Sequence, residues 1–423
     1  MLQKLSLLFT VPDLRKKVFF ILSVLVIFRV GAAIPVPGVR PERLKDFLES
    51  NQFFGLLNIF SGGVLDNLSI IMLGVGPYIT ASIIMQLLTM LFPHLKEMYQ
   101  EEGEAGRTRF NQYARYLTVP LALLQSYALL ILLIRNGVIP ELSLFGYAVN
   151  MIVATAGTMF LMWLGELITE KGLGNGISLL IFAGIVSGLP TAVRQELFTF
   201  TPERLPVLLA FVLVSLAVIA GVVIITEGQR NIPVSYAKRI RGMRMYGGVS
   251  THLPLRVNQA GVIPIIFAVS IILFPGLVGS FLAAVPNEFA QRAAQFLIAA
   301  FNNQIVYGAS YFILVFAFTY FYTAVTFDPQ AIADNLQKQG GFILGIRPGR
   351  PTAEYLSRIL NRITLAGALF LGAIAILPIV VQSALRIQAL TLGGTALLIV
   401  VSVVIETMKQ INAQLVMREY EHI

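Results

Sequence analysis

The sequence has few of the residues that most enzymes use in their active sites. Its 423 residues include no cysteine and only three histidines, His94, His252 and His422. Without cysteine the chain can form neither a disulfide nor a thiolate metal site, and the histidines lack a metal-ligand spacing. It also has neither a His-Glu-x-x-His pair nor a Gly-x-x-x-x-Gly-Lys phosphate loop. We therefore expect no catalytic residue, no metal and no cofactor.

Charge is scarce as well. Charged residues make up 13% of the chain and hydrophobic residues 56%, and the mean hydropathy is +0.78. A soluble domain has no core large enough to bury that much apolar surface. The composition therefore predicts an all-α membrane protein, in which helices satisfy their own backbone hydrogen bonds within lipid.

Ten apolar segments are long enough, or nearly long enough, to cross a bilayer as helices. A hydrocarbon core about 30 Å thick needs roughly 20 apolar residues per helix. The segments lie near residues 18–33, 73–92, 116–134, 149–168, 177–189, 207–225, 262–281, 311–327, 365–381 and 390–405. An even number of crossings places both termini on the same side of the membrane.

The distribution of lysine and arginine indicates which side that is. The termini and alternate loops on their side hold 22 lysine and arginine residues, the other loops hold 8, and Arg29 lies inside the first segment. Cytoplasmic loops carry the excess of positive charge in membrane proteins. Both termini are therefore predicted to be cytoplasmic.

Two loops on the basic side are long, at about 227–258 and 328–362. The first carries Arg230, Lys238, Arg239, Arg241, Arg244 and Arg256. The second carries Lys338, Arg347, Arg350, Arg358 and Arg362. These charges can simply follow the topology rule, which needs only a few charges beside a helix end. The length of the loops instead favours docking surfaces for an acidic protein face or for RNA phosphate.

Two of the predicted spans are interrupted. Gly74, Gly76 and Pro77 stand at the head of the second span, where proline and glycine disfavour a continuous helix. The preceding segment, residues 54–69, is half apolar but contains several polar residues. It is either an outer loop or a re-entrant piece buried inside the protein, where irregular backbone is tolerated at membrane depth. The fifth span is short.

Charged residues are nearly absent from the middle of the spans. Arg29 lies near the outer end of its segment, where it can extend to the interface, and Glu166, Glu227 and Glu406 lie at cytoplasmic ends. A proton-coupled or sodium-coupled transporter usually has an acidic residue near its broken helices. This pattern favours a passive channel, with a secondary transporter built from inverted repeats as the alternative.

Several runs of residues resemble the SecY family, the channel subunits of the bacterial protein translocon. They are 33–38 (AIPVPG), 60–63 (FSGG), 76–88 (GPYITASIIMQLL), 157–166 (GTMFLMWLGE), 172–178 (GLGNGIS), 250–267 (STHLPLRVNQAGVIPIIF), 333–336 (ADNL) and 345–349 (GIRPG). The resemblance extends in order over almost the whole chain.

The resemblance implies ten helices in two inverted, pseudosymmetric halves that form a clamshell around an hourglass pore. The halves would be residues 1–190, with helices 1–5, and 207–423, with helices 6–10 and the two long cytoplasmic loops. A lateral opening toward lipid would lie between the second and third helices on one half and the seventh and eighth on the other.

The resemblance also implies roles for particular residues. The pore ring would be Val75, Ile79, Ile177, Ile181, Ile266 and Ile399. The plug, at about 54–69, would include Phe54, Asn58, Phe60, Ser61, Gly62, Gly63, Asp66 and Ser69. Gln86 and Asn258 would lie at polar positions of the lateral gate, where a hydrogen bond between helices could hold the gate shut. Motor or ribosome docking would use Lys238, Arg239, Arg241, Arg244 and Arg347.

The function so implied is that of a protein-conducting channel and not of an enzyme. Unfolded secretory polypeptides would cross the membrane through it, and hydrophobic segments such as signal sequences would leave laterally into lipid. The expected partners are the SecE and SecG subunits, the SecA ATPase and the ribosome. The expected location is the bacterial cytoplasmic membrane.

Overall fold

A computed structural model of the chain describes residues 11–36, 68–198, 201–202, 205–236, 239–241, 244–246, 250–259, 261–282, 287–385 and 394–421. Helices dominate these residues, as the composition predicts. The helices before residue 200 are α1 (Pro12–Ala33), α2 (Gly76–Leu91), α3 (Pro93–Gln100), α4 (Gly103–Arg135), α5 (Leu144–Lys171) and α6 (Gly176–Phe198).

The remaining helices are α7 (Leu205–Glu227), α8 (Ile263–Leu282), α9 (Glu288–Asn302), α10 (Gln304–Thr326), α11 (Pro329–Lys338), α12 (Arg350–Leu385) and α13 (Gly394–Glu421). Five short strands lie among them: β1 (Gln229–Tyr236), β2 (Arg239–Arg241), β3 (Arg244–Tyr246), β4 (Ser250–Arg256) and β5 (Gly341–Phe342).

Within the described residues, six helical stretches are long and apolar enough to cross a membrane on their own. A seventh is the pair α2 and α3, which bends by 117° at Phe92, just before Pro93. Shorter apolar stretches lie in α6 (Gly176–Pro190) and α8 (Ile263–Ile272), and α1 coincides with the first predicted span. Each of the ten predicted spans therefore overlaps a helix, which is consistent with ten crossings.

The helices pack in a pattern that repeats between the two parts of the chain. In the first part α2 contacts α4, α4 contacts α5, α5 contacts α6, and α1 contacts both α5 and α6. In the second part α8 contacts α10, α10 contacts α12, α12 contacts α13, and α7 contacts both α12 and α13. Helices five spans apart thus hold equivalent places. Since five is an odd number, the second repeat must enter the membrane from the opposite side.

The two repeats meet along two seams. On one side α8 packs against α2 and α4, and on the other α13 packs against α6. A large cluster of buried apolar residues lies between them and includes members from both repeats. The interior of the molecule is therefore the junction of the repeats.

The two long basic loops form one small domain, whereas the sequence suggested two separate loops. Strand β1 pairs antiparallel with β4 of the same loop and also with β5 of the other, in the order β4-β1-β5. Ile232 and Val234 alternate along β1 toward a shared core with Leu255, Ile343 and Leu356. Side chains two residues apart point to the same face of a strand, and this spacing lets β1 cover the core.

A close approach between α5 and the turn before α2 provides a test of this packing. A Cβ atom added at Gly157 would overlap the backbone carbonyl oxygen of Ile70 and lie 3.0 Å from the Cα of Ile71. Because backbone cannot rotate away, we expect Gly157→Ala to lower the free energy of unfolding by about 1–3 kcal/mol. The measurement is the thermal unfolding midpoint in lipid nanodiscs.

Gly188→Ala in α6 is the matched control, because a Cβ there meets nothing within 4 Å. Alanine is the better helix former, so this variant should unfold at the same temperature or slightly higher. Equal destabilisation by both substitutions would contradict the proposed contact.

Candidate functional site

Six aliphatic residues singled out in the sequence come together at the junction of the repeats. Val75, Ile79, Ile181, Ile266 and Ile399 are buried members of the central apolar cluster, and Ile177 packs against it partly buried. Val75 and Ile79 come from the start of α2, Ile177 and Ile181 from α6, Ile266 from α8 and Ile399 from α13. Both repeats therefore contribute to this group.

Irregular backbone before α2 positions the first two of these residues. Residues 70–75 form turns, Gly74 has a φ of 57°, and α2 begins at Gly76 with a proline in its first turn. The amide of Ile79 donates to the carbonyl oxygen of Val75 (3.0 Å). Residues four apart share a helix face, so Val75 and Ile79 enter the junction together.

A polar turn positions the pair on α6 in the same way. The side-chain oxygen of Asn175 accepts from the amide of Ser178 (3.2 Å), and the hydroxyl of Thr169 accepts from the amide of Gly176 (2.9 Å). These bonds satisfy amides that the first turn of a helix leaves unpaired. Helix α6 can therefore begin inside the protein, where Ile177 and Ile181 lie.

The structure describes the predicted plug only at its C-terminal end, Leu68 and Ser69. Phe54, Asn58, Phe60, Ser61, Gly62, Gly63 and Asp66 lie outside the described residues. Ser69 is fully buried and pairs with Pro35 in an isolated antiparallel bridge. The amide of Val36 donates to the carbonyl oxygen of Leu68 (2.8 Å), and the amide of Ile70 donates to the carbonyl oxygen of Ile34 (3.0 Å). Ser69 thus belongs to a short pairing that joins the C-terminal end of the plug to the residues just after α1.

The two predicted gate residues do not bond to each other. Asn258 is buried, and its amide group donates to the carbonyl oxygen of Gly261 three residues further along (3.1 Å). The side-chain oxygens of Asn258 and of Gln86, on α2, are both buried without a hydrogen-bond partner. The hydrogen bond expected from the resemblance is therefore absent from this structure.

The predicted docking residues belong to the two long basic loops. Arg347 is exposed, and its carbonyl oxygen accepts from the hydroxyl of Thr352 (2.9 Å), which ties the loop to the start of α12. Arg239, Arg241 and Arg244 lie on the hairpin of β2 and β3, of which the structure describes only the backbone. Lys238 lies outside the described residues.

No group of three or more potential metal ligands occurs among the described residues. The junction itself is lined by apolar side chains.

A family model described as SecY matches residues 69–408. This chain belongs to the SecY family. Among curated relatives, the protein translocase subunit SecY of Halalkalibacterium halodurans is 46% identical, over 100% of this chain and 99% of that protein. The SecY subunits of Corynebacterium glutamicum (46%, covering 97% of each chain) and Mycobacterium bovis (44%, covering 97% of this chain and 96% of that one) are similarly close.

Solved structures of SecY-type channels share the fold. A protein-conducting channel superimposes with a TM-score of 0.65 at 20% identity, over 93% of this chain and 91% of that one. The Sec61 channel of a canine ribosome-channel complex gives a TM-score of 0.62 at the same identity and coverage. The all-α membrane fold predicted from the sequence is confirmed, and the chain is a multi-pass membrane protein.

Sequence reasoning missed the pairing of Ser69 with Pro35 and the polar turn that opens α6. Pro35 and Pro37 just after the first predicted span and the Asn-Leu-Ser run at the end of the predicted plug were the available signals for the pairing. Neither signal could show that the two segments pair, because the pairing joins residues more than thirty positions apart.

The unpaired oxygen of Gln86 yields a prediction about stability. A buried polar atom without a partner costs free energy, and leucine removes that atom while keeping an apolar side chain one heavy atom smaller. We expect Gln86→Leu to raise the free energy of unfolding by about 1 kcal/mol, measured as a higher thermal midpoint in nanodiscs.

Asn258→Leu is the informative comparison, because it also removes the bond to Gly261. It should stabilise less than Gln86→Leu, or destabilise. A lower midpoint for Gln86→Leu would mean that the oxygen of Gln86 has a partner in the membrane.

Proposed function

We propose that this chain is the protein-conducting subunit of a Sec translocon in a bacterial cytoplasmic membrane, with both termini cytoplasmic. Unfolded secretory polypeptides would cross between its two halves, residues 1–190 and 207–423. The single observation that carries the proposal is the aliphatic group at the junction, which draws its members from α2, α6, α8 and α13.

An aliphatic ring suits this task for a physical reason. A narrow apolar constriction loses its water and so holds back ions. Aliphatic side chains can also change rotamer around a passing chain without losing hydrogen bonds. We assign the ring to Val75, Ile79, Ile177, Ile181, Ile266 and Ile399, and the resting seal above it to the plug at about 54–69.

The seam between α8 and the α2–α4 pair is the proposed lateral gate. Gln86 lies on α2 and Asn258 in the connection just before α8, and the side-chain oxygen of neither residue has a hydrogen-bond partner. We assign closure of the seam to apolar contact, which a hydrophobic signal segment could replace with its own. Segments that prefer lipid would then leave sideways.

The channel would be passive, and partners would supply the force. The small domain formed by β1, β4, β5 and the loops around them presents exposed basic residues, among them Arg347. Basic surfaces of this kind fit an acidic protein face or RNA phosphate. We assign it to docking of the SecA motor and the ribosome, with SecE and SecG as the companion subunits.

Crosslinking tests the proposed path directly, because the chain has no cysteine of its own. A stalled secretory polypeptide carrying one cysteine should form a disulfide with Ile79→Cys and Ile399→Cys in membrane vesicles. Val404→Cys, on the same helix α13 but exposed on its outer face, should not react. The measurement is the fraction of substrate shifted on a non-reducing gel.

Equal reaction at Val404→Cys and Ile399→Cys would place the polypeptide elsewhere. Saturable uptake of a small solute by the purified chain alone, with no crosslink at Ile79→Cys, would favour the secondary transporter.

Reversing the charge of Arg347 tests the docking assignment. We expect Arg347→Glu to reduce motor-driven translocation about tenfold, which corresponds to about 1.4 kcal/mol of lost binding. The assay is ATP-dependent import of a precursor into vesicles. Lys338→Glu, the same charge reversal at an exposed site in the same loop, should leave import nearly unchanged. If the two variants behave alike, the effect is one of net charge and the assignment to Arg347 is wrong.

A further inference from the structure

Helix α9 has an apolar flank that neither the channel nor the docking surfaces use. It lies between the α8 and α10 spans, at the end of α8 opposite the small basic domain. Phe289 and Phe296 on α9 are 81% and 75% exposed, and Ile305 in the first turn of α10 is 81% exposed. Three large apolar side chains in one short segment are therefore at least three-quarters exposed.

The helix has three distinct faces. Ala294 is fully buried, and Phe301 packs against the central apolar cluster. Gln291 and Gln295 are exposed and lie to one side of this buried face. Phe289 and Phe296 are seven residues apart, so at 3.6 residues per turn they project together, on the side of the helix that faces away from Ala294. An arrangement of buried, apolar and polar strips is typical of a helix that lies in the plane of a membrane interface.

The position of α9 is fixed by its neighbours. It approaches α8 so closely that a Cβ added at Gly279 would lie 3.0 Å from a side-chain carbon of Ile298. Asn287 caps its start by accepting from the amide of Phe289 (2.9 Å). Asn303 ends it and caps α10 by accepting from the amide of Ile305 (3.0 Å). The helix therefore lies at the level where α10 enters the membrane.

We propose that α9 is an interfacial helix that inserts Phe289 and Phe296 among the lipids of the outer leaflet. The apolar flank continues through Ile305 onto Ile313, an exposed residue two turns further along the α10 span. Left in water, each such side chain would forgo roughly 1.5–3 kcal/mol of transfer free energy. Exposed Arg292 and Glu288, paired at 3.7 Å, lie beside this flank, where charged groups can reach the headgroups.

A lipid surface fits this flank better than a second protein. Two phenylalanines offer at most about 400–500 Å² of apolar surface, whereas a stable protein interface buries about 800 Å² on each partner. Helix α9 packs against α8, and α8 forms one side of the seam with α2 and α4. Lipid bound at α9 therefore contacts a helix that packs directly against α8.

Spin labelling of the full chain in phosphatidylcholine and phosphatidylglycerol vesicles tests the proposal. Because the chain has no cysteine of its own, a single introduced cysteine is the only site that the label can modify. Labels at Phe289→Cys and Phe296→Cys should have an oxygen-to-nickel-chelate accessibility ratio several-fold above that at Gln295→Cys. They should approach the ratio at Ile313→Cys, the lipid-facing reference. Gln295 precedes Phe296 by one residue and lies on the polar face of the same helix. The label at Gln295→Cys is therefore the matched control, because it shares the folded helix but not the apolar flank.

Two results would overturn the proposal. Ratios at Phe289→Cys and Phe296→Cys as low as at Gln295→Cys would place the flank in water. Dipolar broadening between labels on different molecules, with low access to both reagents, would assign the flank to a second copy of this chain.

Discussion

The structure depends on apolar contact between its two repeats, at the seams where α8 meets α2 and α4 and where α13 meets α6. Between membrane helices such contact gains little from the hydrophobic effect, because lipid tails are as apolar as the side chains. Dispersion and close fit hold it instead, and each atom pair contributes only about 0.1–0.2 kcal/mol. A contact of this kind has no fixed partners. It can open around one apolar surface or another without leaving a hydrogen bond unmade.

The irregular segment before α2 shows how the protein permits a break in a buried helix. The amide of Ile70 donates to the carbonyl oxygen of Ile34 at the end of α1. The amides of Met72 (2.9 Å) and Gly74 (2.8 Å) each donate to the carbonyl oxygen three residues earlier in the chain. With these three amides paired, the segment can pack against α5 at Gly157 as tightly as another helix would. The break therefore costs little and frees the start of α2 to enter the junction.

Hydropathy was sufficient to predict the long helices, because a span needs a long apolar run whatever its neighbours are. It could not predict α3, α9 and α11, which are short and carry polar faces. The sheet was missed for a different reason. Charges around Ile232 and Val234 suggested a solvated loop, although their alternation is typical of a strand. The aliphatic group followed from the family resemblance alone, since each isoleucine by itself suggests only helix packing.

The bond expected between Gln86 and Asn258 illustrates a limit of inference by resemblance. The turn at Gly261, with a φ of 61°, brings its carbonyl oxygen back to Asn258, and a partner three residues away orders less of the chain than one on another helix. The connection between β4 and α8 also contacts the end of α7. Strand β4 leads into α8 through Val257, whose amide donates to Gly228 at the end of α7 (2.8 Å). Because β1, β4 and β5 form one sheet, the strands of both basic loops are joined to the ends of α7 and α8 through this one connection.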